Sequence, residues 1–237
     1  MKGVFVTGTD TGVGKTLVSC ALLAGFQRAG LRTAAMKPVA SGSEPTRLGL
    51  RNRDALQLAV HSDRDLPYEV VNPYTFRPAI APHIAAAREG VVIDPRRIER
   101  LYRRISSGSD ICVVEGAGGW LVPLNETETM ADLAVRLGLP VVLVVGMRLG
   151  CLNHALLTAQ SIAAHGVPLA GWIANMVQPQ MECDEENLET LRRRIPGSCM
   201  GIVPYLPSAT ARQVSECLDV EGLVERIVSE TGTGTAE

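Results

Sequence analysis

The sequence predicts an α/β fold: a doubly wound, mostly parallel sheet with helices on both faces, in a single domain over residues 1–237. Three observations carry this expectation. Short apolar runs alternate with segments of helical spacing, the pattern of strands joined by helical crossovers. Residues 140–146 (PVVLVVG) are apolar without a break, as a strand covered on both faces requires. The chain also opens on a strand, a glycine-rich loop and a helix in that order.

In chain order, residues 3–7 (GVFVT) read as a short buried strand, and residues 16–29 carry apolar positions at helical spacing up to Gly30. Residues 31–37 (LRTAAMK) read as a second strand closed by Pro38. A long polar segment, 39–53, leads to a helix near 54–61, and residues 66–82, with four prolines, read as irregular. Helices are expected near 83–89 and 95–105, then a buried strand at 110–115 (DICVVE) followed by Gly116-Ala117-Gly118-Gly119. Helices at 129–137, 152–165 and 184–194 alternate with strands at 140–146, 168–174 and 199–203. A last helix covers about 219–229, and the tail 231–237 (TGTGTAE) is expected to be disordered.

Composition bounds the function. The chain is 46% hydrophobic and 20% charged, ordinary for a globular protein, and its length fits one domain with a sizeable core. A formal net charge of −2 gives no basic field to recruit nucleic acid or acidic membranes. No apolar run reaches the roughly 18 residues that span a bilayer. The opening MKGVFVTG runs straight into the loop and leaves no room for a signal peptide, so a cytoplasmic protein is expected. None of the six cysteines forms a CxxC pair, and reduced, mostly structural thiols are expected. Of 23 basic residues only Lys2, Lys15 and Lys37 are lysines: either chance left three, or a lysine stands where a compact ammonium serves better than a planar guanidinium, and two of the three fall at the carboxyl ends of expected strands.

Ligands of such sheets bind at the carboxyl ends of the strands, and the polar signals fall there. Gly8 to Thr16 (GTDTGVGKT) is a phosphate loop with five residues, not four, between its first glycine and the Gly-Lys pair. Its backbone N–H groups would cradle phosphate oxygens, Lys15 would reach the β/γ-phosphates and the Thr16 hydroxyl would ligate Mg²⁺. This makes the expected fold P-loop NTPase-like. Switch ATPases of the ParA type place a lysine where Asp10 stands, so the long loop marks another subclass. Glu115 ends an apolar strand, where such enzymes place an acidic residue that handles magnesium; a solvent-facing carboxylate is the alternative. Asp54 opens a helix and is either its N-cap or a further oxygen ligand. Lys37, at a strand end, can stabilise charge on a transferring phosphoryl group, with Ser41 in the loop after it. Gly150, Cys151 and Asn153 open a helix whose N-terminus either binds an anion or is simply capped. His154 reads as packing or as a support behind the site rather than as catalytic, and Cys151 has no paired histidine to make it a nucleophile.

Taken together, VTGTDTGVGKT, KPVASGS, LRNRDAL, NPYTF, PHIAA, VVEGAGGWLVPL, LGCLNHALLTAQ, AGWIAN and the region around Pro204 resemble the dethiobiotin synthetase family, in family order over about 200 residues. The resemblance implies that 7,8-diaminopelargonate, CO₂ and MgATP give dethiobiotin, ADP and phosphate through a carbamate and a carbamic–phosphoric anhydride, without a covalent enzyme intermediate. It implies Lys37 and Lys15 as catalytic cations, with Thr11 and Ser41 at the carbamate and substrate. Gly12, Val13, Gly14, Lys15, Thr16 and Leu17, with Gly116, Ala117 and Gly118, would surround the nucleotide. Thr16, Asp54 and Glu115 would gather Mg²⁺. Asn175, Met176 and Pro204-Tyr205-Leu206 would hold adenine. The family is a homodimer with its sites at the interface, so Gly150, Cys151 and Asn153 would hold the distal carboxylate from the partner chain. Gly12 stands where some relatives carry Glu, and Met176 where an acidic residue is frequent. A cobyrinic-acid amidotransferase synthetase would need a glutaminase domain this chain has no room for. A ParA-like switch ATPase lacks its lysine here, and a non-catalytic nucleotide-binding module would not keep Lys15, Lys37, Asp54 and Glu115 together.

Overall fold

The computed structural model describes residues 3–232, with side chains through residue 227. β1 (Gly3–Gly8) leads through the glycine loop to α1 (Lys15–Arg28) and β2 (Thr33–Met36). Next come β3 (Val39–Ala40), the hairpin β4 (Glu44–Thr46) and β5 (Gly49–Arg51), α2 (Arg53–His61), α3 (Tyr68–Val71), β6 (Tyr74–Thr75), α4 (Pro82–Arg88) and α5 (Pro95–Ser106). The second half alternates: β7 (Ile111–Glu115), α6 (Met130–Leu137), β8 (Val141–Met147), α7 (Cys151–Ala164), β9 (Leu169–Met176), α8 (Asp184–Arg194), β10 (Cys199–Val203), α9 (Ala211–Ser215) and α10 (Val220–Gly232).

Six strands form one sheet in the order β10-β9-β8-β1-β7-β2, every neighbouring pair parallel. The chain runs from β1 past one position to β2, fills the gap with β7, then crosses to the far side of β1 with β8. The strand order therefore reverses around β1, and the crevice at its carboxyl end is where such sheets bind ligands. Alternate side chains of each strand enter two separate cores. Phe5, Val114 and Leu143 face the core made with α4 to α8. Val4, Val6, Val113 and Val144 face the core closed by α1, α9 and α10. Both faces are thus covered, which is why β8 can be wholly apolar and wholly buried.

The main strands and helices follow the sequence pattern to within a few residues, but three expectations need correction. The polar segment 39–53 and the proline-rich segment 66–82 are not structureless: β3 pairs in parallel with β6, and β4 pairs antiparallel with β5. The helix expected to end near residue 229 continues through Gly232, so residues 231 and 232 of the expected tail are helical, and residues 233–237 lie outside the described residues. The short α9, held by a Thr210/Gln213 capping box, was not anticipated. All six cysteines are free, with Cys20, Cys112 and Cys151 buried. Among the described residues no helix is long and apolar enough to cross a membrane.

Candidate active site

The long phosphate loop is anchored at Val13. Val13 is buried to 1% exposure, its side chain wedged between the ends of β1 and β8. A Cβ on Gly8 would come within 2.6 Å of Val13 Cγ2, and one on Gly146 within 2.7 Å of Val13 Cγ1, so two glycines on neighbouring strands make its socket. Gly14 follows with φ +89° and packs its Cα against the Asn175 amide, which leaves no room for a side chain. Asn175 Nδ2 donates to the Val13 carbonyl at 2.8 Å and ties the loop to the end of β9. Thr11 and Gly12 are left exposed at the loop tip. Asp10 closes the near edge: one oxygen accepts from the Thr11 amide at 2.7 Å and the other receives the Arg148 guanidinium. The cation at this edge is thus Arg148, one residue beyond β8 and passed over in the sequence.

Four polar side chains converge beside the loop. Glu115, fully buried at the end of β7, accepts on Oε1 from Lys37 Nζ at 2.5 Å and from the Thr16 hydroxyl at 2.9 Å. Lys37 Nζ also donates to the Gly116 carbonyl at 3.1 Å and lies 3.6 Å from Asp54 Oδ2. The second Glu115 oxygen, Oε2, is buried without a partner. A buried carboxylate oxygen with no donor suits a cation or its bound water, and two carboxylates with a hydroxyl are the oxygen set a hard divalent ion takes. Among the described residues no group of three or more His, Cys, Asp or Glu gathers as a metal site, so such an ion would be completed by phosphate and water oxygens. Thr16, Asp54 and Glu115 therefore fit Mg²⁺.

Lys15 opens α1 and donates to the Asp10 carbonyl at 2.9 Å. Burial, then the nearby Lys37 charge, pull its pKa down to about 8, against the opposing pull of Glu115, Asp54 and Asp10. The sign of the consequence is fixed. Above pH 8 the free protein loses the Lys15 proton, and a bound polyphosphate restores it by raising the pKa again. Nucleotide affinity is expected to fall as pH rises through 8, with proton uptake on binding near that pH. Calorimetric titration in buffers of different ionisation enthalpy measures the uptake; binding enthalpies that do not depend on buffer at pH 8 would contradict it.

These groups line one cleft of about 710 Å³. Thr11, Gly12, Gly14, Lys15, Thr16, Ala117 and Gly118 form one side, with Lys37, Asp54 and Glu115 at the base. An apolar wall of the cleft comes from Ala79, Ile80, Pro82, Val122 and Pro123. Ala79, Ile80 and Pro82 were missed in the sequence because they lie in the proline-rich segment 66–82. Ser41 also lines the cleft, its hydroxyl buried and without a partner. Asp54 is not the cap of α2: Asn52 is, accepting on Oδ1 from the Asp54 and Ala55 amides at 3.0 and 3.3 Å. Asp54 is thereby released toward Lys37. The signal was present, since Asn caps as well as Asp.

The other expected residues stand apart from the cleft. Leu17 is half-buried against the α1-side core. Met176 ends β9, and Val203, paired in register with Asn175, brings the exposed Pro204, Tyr205 and Leu206 beside it. Gly150 (φ +93°), buried Cys151 and exposed Asn153 begin α7 outside the cleft of their own chain. His154 is exposed, so of the two roles expected of it, packing is not made within this chain.

A parallel sheet of this order, with a Gly-Lys-Thr loop leading from its central strand into a helix, defines a P-loop NTPase. A protein-family model described as an AAA domain matches residues 2–213. The fold is similar to the MinD cell division protein of Aquifex aeolicus in its complex with MinC (TM-score 0.54, 14% identity, covering 100% of this chain and 98% of that one). It is similar also to a ParA family ATPase of Chlorobium tepidum (TM-score 0.52, 16% identity, 98% and 100% covered). At such identities the likeness is one of fold alone. The sequence is 53% identical over 224 residues to the ATP-dependent dethiobiotin synthetase BioD of Pseudomonas aeruginosa strain UCBPP-PA14, covering 94% of this chain and 98% of that protein. It is 50% identical to the BioD of Cellvibrio japonicus over the same shares. The chain belongs to the dethiobiotin synthetase family.

Proposed function

We propose that this chain is an ATP-dependent dethiobiotin synthetase, a ligase that carboxylates 7,8-diaminopelargonate and closes the ureido ring. Beyond its family, the observation that carries this reading is the cluster in which Lys37 and Thr16 share one oxygen of Glu115 while Asp54 faces Lys37, in a cleft between the phosphate loop and apolar side chains. The loop and Lys15 take the triphosphate. The apolar wall takes the methylene chain of the diamine and excludes water from the reacting groups.

One amine of the substrate adds to CO₂ and releases a proton, giving a carbamate. Thr11 and the buried, unpartnered Ser41 hydroxyl are placed to hold its oxygens. A carbamate oxygen attacks the γ-phosphorus, the bond to the β-phosphate oxygen breaks, and ADP leaves. Lys37 and Lys15 stabilise the charge that develops on the transferring group. The second amine then attacks the carbonyl carbon and phosphate departs with the carbamate oxygen, closing the five-membered urea. Thr16, Asp54 and Glu115 would hold Mg²⁺, which when bound neutralises phosphate charge. No nucleophilic side chain is needed; positioning and charge carry the rate.

We read the whole chain as one catalytic domain acting in the cytoplasm as a homodimer. Leu149, 96% exposed just before α7, and the exposed Leu157 midway along it support a covered surface on this helix. Gly150, Cys151 and Asn153 then meet the carboxylate of a substrate held by the partner, and Asn175, Met176 and Pro204 to Leu206 flank adenine. ATP consumption should require diaminopelargonate and bicarbonate together, with ADP and dethiobiotin formed one to one. Hydrolysis indifferent to both compounds would refute the reading.

A further inference from the structure

Lys37 lies one residue beyond the end of β2, outside the sheet ladder. Its ammonium must nevertheless be held to a fraction of an ångström. The segment 71–76, which includes the NPYTF motif, does this work. Lys37 N donates to the Val71 carbonyl at 2.8 Å, and Asn72 Nδ2 donates to the Lys37 carbonyl at 2.7 Å. Val39 and Ala40 pair with Tyr74 and Thr75, Phe76 N donates to the Ala40 carbonyl at 2.9 Å, and Ser43 N to the Phe76 carbonyl at 3.0 Å. The stretch from Lys37 to Ser43 leaves the sheet and is paired along its length with a strand of its own.

The pairing continues through side chains to the other half of the site. Asn72 is 2% exposed; its Oδ1 accepts from the Tyr68 hydroxyl at 2.8 Å. The Tyr68 oxygen accepts from Asn52 N at 2.7 Å. Asn52, 5% exposed, caps α2 with its Oδ1 and donates from Nδ2 to the Ser41 carbonyl at 3.2 Å. One chain, Lys37–Asn72–Tyr68–Asn52, buried except at the half-buried Tyr68, thus reaches the backbone of Lys37 and Ser41 and the first turn of α2 that presents Asp54. The hydrogen bonds along it match donor to acceptor, and a satisfied network of this kind, buried at both asparagines, favours a single geometry. Arg51 stacks on the Tyr68 ring, 4.1 Å from its centroid, and holds the ring independently of its hydroxyl.

We propose that Asn72, Tyr68 and Asn52 are positioning residues that set the distance between the Lys37 ammonium and the Asp54 carboxylate, coupling the phosphoryl-transfer cation to the metal-binding carboxylate. The inference rests on the proposed reaction. Tyr68→Phe tests it, because it removes the hydroxyl joining the two halves and keeps the ring and its Arg51 contact. The expected result is a kcat about 10-fold lower and a Mg²⁺ half-saturation about 10-fold higher, the range for losing a partner that orients a ligand. The KM for ATP should be unchanged, since the phosphate loop is not in the chain. Asn72→Ala should show the same split more strongly; if it fails to fold, Tyr68→Phe alone decides. Wild-type kcat and Mg²⁺ dependence in Tyr68→Phe would overturn the proposal. So would a loss of activity that follows only a lowered melting temperature and vanishes well below it. Parent protein without diamine-dependent ATP consumption would instead refute the reaction, so the two failures are distinguishable.

Discussion

Lys37→Arg is expected to lower kcat by about 10²–10³-fold, the scale for removing one aimed charge from a transition state, while nucleotide binding persists. The substitution keeps the charge and changes its shape. Lys37 is 4% exposed, and its single ammonium touches Glu115 at 2.5 Å and the Gly116 carbonyl at 3.1 Å with Asp54 at 3.6 Å. A guanidinium cannot stand at one point among three oxygens; its planar fork would pair two-pronged with Glu115 and spread its charge away from the cleft. Arginine is this chain's usual cation, so a lysine here is consistent with a need for a point charge. The hydrogen bonds from Lys15 to the Asp10 carbonyl and from Asn175 to the Val13 carbonyl do not involve Lys37, and arginine keeps the positive charge beside Lys15, so a nucleotide dissociation constant close to that of the parent should accompany the loss. Near-normal turnover would show that charge alone suffices.

The reach of the sequence depended on how locally each feature is written. The sheet was legible because burial on both faces leaves uninterrupted apolar runs such as β8, and the phosphate loop because its glycines and Lys-Thr are contiguous. Glu115 and Lys37 could be placed because each ends a strand, and parallel strands bring their ends to one edge. That Lys37 and Thr16 share one oxygen of Glu115 could not be read, since those residues come from three separate segments. The Asn52 cap was missed because Asn52 and Asp54 are equally good capping residues two positions apart, and only the backbone shows which is outside the helix. Arg148 on Asp10 was hidden because one arginine among many carries no local mark. The NPYTF segment looked irregular because its order comes from pairing with residues 39–40, not from periodicity of its own.

Glu115→Gln should have the largest effect on stability together with loss of synthesis. Glu115 is fully buried and its partner Lys37 nearly so, and removing one member of a buried pair leaves the other charge without compensation. Such breaks cost about 3–5 kcal/mol. Asp54 still faces Lys37 at 3.6 Å from a half-exposed position, which argues for the lower end. A loss of about 3 kcal/mol corresponds to a melting temperature roughly 6–12 °C lower for a chain of this size. Glutamine keeps the volume and can still accept from Thr16, so the change isolates the charge. Divalent-ion-dependent nucleotide binding should weaken as well, because the orphaned Oε2 becomes an amide or loses its negative charge. Adding Lys37→Met to Glu115→Gln separates the two effects. With both charges gone, no buried ion is left unpaired, and much of the stability should return. Activity should not, since the cation and the carboxylate are both absent. Thermal denaturation beside turnover assays reads the two outcomes. A double variant no more stable than Glu115→Gln would mean that the loss came from packing and not from the stranded lysine.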